Sequence, residues 1–138
     1  MIIDATDSII GRIATVAAKK ALLGEKVNIV NCEKAVVTGS KENVFARFKQ
    51  KRNMGVPLKG PYRPRMPDRM VRRIVRGMLP YKKDKGRQAF NKVMCYIGVP
   101  ENLKSQSLDK IKEADVSKMP SLKYVYIKDI SKFLGAKI

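Results

Sequence analysis

Residues 2–31 read IIDATDSIIGRIATVAAKKALLGEKVNIVN. Ile2 to Ala5 is a short apolar run that ends in Thr6, Asp7 and Ser8, three residues of helix-capping type, so a strand is expected to run into a helix with Asp7 as its cap. From Ile9 onward the sets Ile9, Ile13, Val16 and Ile10, Ala14, Ala17, Ala21 recur at helical spacing, and Gly24 supplies a C-terminal stop. Val27, Ile29 and Val30, within 26–31, mark a second strand. A strand, a helix and a strand in this order predict parallel pairing and an α/β layer fold.

Working outward, Ala35 to Thr38 adds a short third strand, and Gly39 and Ser40 open a second helix. Ser40 stands at its N-cap, with the free N–H groups behind it. Val44, Phe45 and Phe48 form the inward set of this helix, while Lys41, Arg47, Lys49, Lys51 and Arg52 project outward. Gly55, Pro57, Gly60, Pro61, Pro64 and Pro67 forbid regular structure across Met54 to Met66, which predicts a long extended loop. Such loops are uncommon in compact domains unless they carry a function. Pro67 and Asp68 suit a first helical turn, and the third helix is expected to run to Leu79 before Pro80 stops it. A short helix over 86–92 leads into an apolar strand over 93–97, closed by Gly98 and Pro100. Residues 101–121 read as mostly irregular with one helical turn at Leu108 to Lys112, and 122–138 as an edge strand and a short helix. The whole chain, 1–138, reads as one domain.

Thirty Lys/Arg against twelve Asp/Glu give a net charge of +18 over 138 residues. The 44% hydrophobic share is enough for a core, so the excess charge points to a polyanionic partner rather than to disorder. No apolar stretch approaches the roughly 20 residues of a membrane span, and Asp4 and Asp7 interrupt the N-terminal apolar run where a signal peptide would need continuity. The expectation is an intracellular protein without a membrane partner. Cys32 and Cys95 form no C-x-x-C pair and sit in or beside apolar runs, so they read as buried free thiols. The chain contains no histidine, which excludes the usual zinc arrangements and every His-dependent triad.

The charge is concentrated. Residues 47–87 hold fifteen Lys/Arg and two acids, a net +13 of the +18. Within them, Arg69, Arg72, Arg73 and Arg76 fall on one face of the third helix, and Met70, Val71, Ile74, Val75 and Met78 on the other. Four like-charge neighbour pairs on that face each cost about 0.2–0.5 kcal/mol. An external anion is the natural compensation, and the planar guanidinium is suited to phosphate. In the loop, prolines hold Lys59, Tyr62, Arg63 and Arg65 on an extended backbone, an arrangement suited to irregular RNA. Lys82, Lys83, Lys85 and Arg87 form a further basic cluster compatible with phosphate contact.

Two features look catalytic. Gly39-Ser40-Lys41 lacks the rest of a phosphate-binding loop and reads better as a helix start. Asp4, Asp7 and Glu33 could meet at strand ends and hold Mg2+, so an alternative reading is a Mg-dependent nuclease or phosphotransferase.

Further motifs occur together and in order: Asp4-Ala-Thr-Asp7, Gly11-Arg-Ile-Ala14, Val30-Asn-Cys-Glu-Lys-Ala35, Arg76-Gly-Met-Leu-Pro80, Gly86-Arg87-x-Ala89 and Tyr96-Ile-Gly98. In these the chain resembles the ribosomal protein L13 family (uL13), in its archaeal and eukaryotic branch, since the His-Pro pair of bacterial members is missing after Tyr96-Ile-Gly98. The resemblance implies a three-layer α/β/α fold around a small, mainly parallel sheet. It implies a cytoplasmic structural constituent of the large ribosomal subunit that binds large-subunit rRNA and supports assembly beside neighbouring ribosomal proteins. Enzymatic activity, a cofactor, a metal and a small-molecule substrate are not expected. Joined to the charge pattern, it makes Arg12, Arg47, Lys49, Lys51, Arg52, Lys59, Tyr62, Arg63, Arg65, Arg69, Arg72, Arg73, Arg76, Lys82, Lys83, Lys85 and Arg87 the candidate RNA-binding residues.

Overall fold

A computed structural model describes all residues, Met1–Ile138. The strands are β1 (Ile2–Asp4), β2 (Val27–Val30), β3 (Val36–Thr38), β4 (Val93–Cys95) and β5 (Tyr124–Tyr126). The helices are α1 (Ile10–Leu22), α2 (Lys41–Asn53), α3 (Pro67–Gly77), α4 (Asp84–Asn91) and α5 (Ile127–Phe133). The fold is α/β, as expected. Its main sheet is parallel in the order β1-β2-β4, with Ile3 opposite Ile29 and Ile29 opposite Cys95. Alternation along the strands therefore puts Ile3, Val27, Ile29, Val93 and Cys95 on one fully covered face, while Asn28 and Met94 share the other. Each fully buried Ile or Val contributes about 1.5–3 kcal/mol of transfer free energy.

Helix α1 packs on this sheet and against α3 and α4. Its inward stripe, Ile10, Ile13, Ala14, Ala17, Ala18 and Ala21, is buried, and the four alanines keep it narrow enough for two helices to approach. Asp7 does not cap it. Ile9 occupies the N-cap with no side-chain bond, because Asp7 has a left-handed backbone (φ 50°) that directs its carboxylate to the Tyr126 hydroxyl, 3.0 Å away.

The third strand does not join the parallel sheet. β3 pairs antiparallel with β5, Val37 opposite Val125, and α2 and α5 gather against β5. Phe45 of α2 stacks on Phe133 of α5 at 4.5 Å. Of the expected inward set on α2 only Val44 is fully buried; Phe45 and Phe48 are half-buried. Helix α3 ends at Gly77 rather than Leu79, and Leu79 is buried in the turn that follows. Its expected core face holds for Met70, Val71 and Val75, but Met78 is 43% exposed.

The loop before α3 is extended only in its second half. Val56 and Gly60 bridge across a tight turn, and a Cβ on Gly55 (φ 93°) would lie 2.1 Å from the Gly60 carbonyl oxygen, which explains that glycine. Residues 101–121 are irregular apart from short 3-10 turns at Glu101–Leu103, Lys112–Ala114 and Val116–Lys118. No helical turn forms at Leu108 to Lys112. Asp109 instead joins the free edge of β1, donating its N–H to the Ile2 carbonyl (2.8 Å) and accepting from the Asp4 N–H (3.1 Å). Cys32 and Cys95 are buried free thiols. Cys32 donates to the Ile29 carbonyl (3.5 Å), and the neighbouring Cys95 thiol, and then burial, push its pKa up.

Candidate nucleic-acid interface

Helix α3 owes its position to sequence on both faces. Pro67 stands at its start, where a missing N–H and fixed φ cost nothing, and Met70, Val71 and Val75 anchor it in the core. That anchoring aims Arg69, Arg72, Arg73 and Arg76 into an open groove of about 940 Å3. The opposite wall is the loop from Tyr62 to Met66, and Arg52 and Lys137 close the ends. Seven arginines and one lysine line this groove, and no carboxylate does. Asp68, the acid nearest in sequence, sits in the first turn of α3 with a buried carboxylate oxygen that has no hydrogen-bond partner. The helix dipole favours an anion at that end.

The arginines are of two kinds. Arg72 donates through Nε to the Val93 carbonyl (3.1 Å) and lies 4.5 Å above the Phe90 ring. Arg73 donates to the Tyr62 carbonyl (2.8 Å), and Arg76 lies 4.9 Å from the Tyr81 ring. These three are held in place before any ligand arrives. Burial, and then the neighbouring charges of Arg63 and Arg76, lower the Arg73 pKa. The side chains of Arg52, Arg63, Arg65 and Arg69 make no hydrogen bond or ion pair inside the protein. The whole chain has only three ion pairs, Lys20–Glu25, Arg87–Asp84 and Lys110–Asp115, so the groove's charge is left for something outside.

The other candidate residues are dispersed around it. Arg47 and Lys51 line a second cavity that shares Arg52, Arg63 and Arg73 with the groove. Lys49 is exposed on α2, and Lys59 is exposed on the turn beside it. Lys82, Lys83, Lys85 and Arg87 are exposed around the start of α4, with Arg87 3.5 Å from Asp84. Arg12 lies away from the groove, donating to the Glu113 carbonyl at 2.5 Å. Sequence reasoning missed Lys137 and Phe90. Lys137 follows the last helix as one of four scattered lysines in 122–138, and nothing local marks Phe90 as the plate beneath Arg72.

The three carboxylates of the nuclease alternative are spread over separate tasks. Asp4 accepts from the Asn31 amide (2.8 Å), the Thr6 hydroxyl (2.8 Å) and the Thr6 N–H (3.1 Å). Burial raises its pKa, but these bonds outweigh burial and leave it lowered. Asp7 serves Tyr126, whose pKa the bond raises to about 12, and Glu33 accepts the Gly98 N–H at 3.0 Å. No group of three or more His, Cys, Asp or Glu is arranged to hold a metal. No helix is long and apolar enough to cross a membrane.

Fold and groove together define a small, strongly basic α/β protein that displays its unpaired charge along one helix and one proline-stiffened loop. Residues 1–102 match the family described as ribosomal protein L13, and the chain belongs to that family. It is 44% identical to the large ribosomal subunit protein uL13 of Archaeoglobus fulgidus, over 97% of this chain and 86% of that one. The uL13 of Methanococcoides burtonii is 44% identical over 99% and 98%, and that of Halobacterium salinarum 38% identical over 100% and 92%.

Proposed function

We propose that this chain is a structural, non-enzymatic constituent of the large ribosomal subunit, working in the cytoplasm. It binds large-subunit rRNA mainly through phosphate contacts, supports subunit assembly and lies beside other large-subunit proteins. The observation that carries the reading is the groove lined by seven arginines and a lysine with no acid. Phosphates placed there neutralise guanidinium groups that already stand close together, and the three arginines fixed by Val93, Tyr62 and the aromatic rings lose little side-chain freedom on binding. The loop residues and the clusters on α2 and at the start of α4 extend the same positive surface, and Arg12, which lies apart from it, is read as a separate contact, so that all seventeen candidate residues are proposed to meet RNA. The assignment of a single domain over 1–138 belongs to the same reading.

The test is the salt dependence of binding to archaeal large-subunit rRNA. Each phosphate contact contributes about 0.9 to the slope of log K against log salt in duplexes and about 0.7 in single strands. Arg65→Gln, Arg69→Gln and Arg76→Gln combined should therefore flatten the slope by roughly 2 to 3 units. A folded triple variant, checked by circular dichroism, with unchanged slope and affinity would remove the groove from the interface.

A further inference from the structure

The second cavity has about 440 Å3, within the roughly 300–1,000 Å3 typical of small-molecule pockets. It is built differently from the groove. Its wall includes Phe48, Ile74 and Leu134, three apolar side chains that pack on the core yet remain only partly covered by it. Its rim carries Arg47, Lys51, Arg52, Arg63 and Arg73 and no acid. Arg52, Arg63, Pro64 and Arg73 also line the groove, so the two spaces share one arginine ridge.

We infer that this cavity takes one unstacked RNA base, with the phosphate of the same nucleotide held by the ridge. A phosphate alone has no use for an apolar wall with an aromatic ring. A purely apolar side chain from a neighbouring protein would in turn bury five cations without a counter-charge, at a large desolvation cost. A nucleotide meets both halves, since its base face stacks on aromatic and guanidinium planes while its phosphate answers the rim. The backbone leaves room for it: a Cβ on Gly11 or Gly77, both lining the cavity, would meet nothing within 4 Å. The inference rests on the RNA-binding reading and adds to phosphate contact a site for a base.

Two arms test it. The full chain, with labelled methyl groups, is titrated with adenosine 5′-monophosphate and separately with ribose 5-phosphate and followed by NMR. The nucleotide should shift the Ile74 and Leu134 methyls and the sugar phosphate should not; identical patterns confined to the rim would overturn the base site. In the second arm Gly11→Leu/Gly77→Leu, which replaces two helical glycines with a better helix former, is measured on rRNA beside the wild type. Loss of base stacking should weaken binding about tenfold at every salt concentration and leave the salt slope unchanged, since no phosphate contact is removed. Unchanged affinity in a folded variant overturns the inference, whereas a flattened slope assigns the cavity to phosphate alone and also overturns it. Should the wild type itself fail to bind rRNA, the RNA-binding reading falls, and the mononucleotide arm still decides the cavity.

Discussion

The first forty residues and the segment from Arg47 to Arg87 answer the same physical problem, polar groups in a folded chain, in opposite ways. In the N-terminal region the polar groups close on one another. Asp4 collects three hydrogen bonds from Thr6 and Asn31, Ser8 is buried and donates to the Thr6 carbonyl, and Glu25 pairs with Lys20. In the basic segment, fifteen bases share one ion pair, Arg87 with Asp84 at 3.5 Å. Three of its arginines, Arg72, Arg73 and Arg76, are fixed by carbonyl oxygens and aromatic rings, which orient a guanidinium without neutralising it. One region is complete in itself, and the other has order without charge balance. A protein that needed the second region only for stability would have placed acids among those arginines.

The sharpest way to break this contrast is to damage the core and ask whether binding changes. Ile29 is fully buried at the centre of the parallel sheet, between Ile3 and Cys95. Ile29→Ala should cost about 2–5 kcal/mol of stability, read from urea unfolding. The salt slope for rRNA should not move at temperatures where the variant stays folded. A changed slope would mean that the two regions are energetically one.

A smaller effect separates the two kinds of arginine. Arg72→Gln removes a hydrogen bond to Val93 and the contact with Phe90, which together contribute about 1–3 kcal/mol. Arg69→Gln removes a side chain with no internal partner, so its stability should stay within about 0.5 kcal/mol. Both should lower rRNA affinity. Equal stability losses in the two variants would show that Arg72 is not a structural residue as well as a charged one.

Much of this contrast is legible in sequence, and the failures are instructive. The spacing from Ile9 to Ala21, flanked by apolar runs, sufficed for β1, α1 and β2 because local pattern and tertiary packing agree there. The charged face of α3 followed from 100° geometry alone. What could not be read was any feature set by approach of distant segments. The cap expected at Asp7 was lost to Tyr126, 119 residues away. The turn expected at Leu108 to Lys112 yielded to main-chain bonding along β1, and β3 found β5 rather than the parallel sheet. In the groove, the plate beneath Arg72 and the lysine at position 137 come from segments whose own patterns carry no sign of a site.

The smallest expected effect concerns the self-contained region and is a matter of pH. Asp4 has a lowered pKa despite its burial, because Asn31 and Thr6 favour the charged form. A carboxyl whose folded pKa lies below its unfolded value stabilises the protein above the unfolded value, near pH 4, and loses that contribution as pH falls through the folded one. Asp4→Asn keeps an acceptor oxygen but has nothing to titrate. Since Asp4 is only half-buried and partly screened by solvent, the wild type should exceed the variant by under about 1 kcal/mol at neutral pH. That difference should be flat from pH 7 to 5 and close below pH 4 in urea titrations at constant ionic strength. A difference that persists to pH 2 would assign the loss to altered packing rather than to the carboxylate.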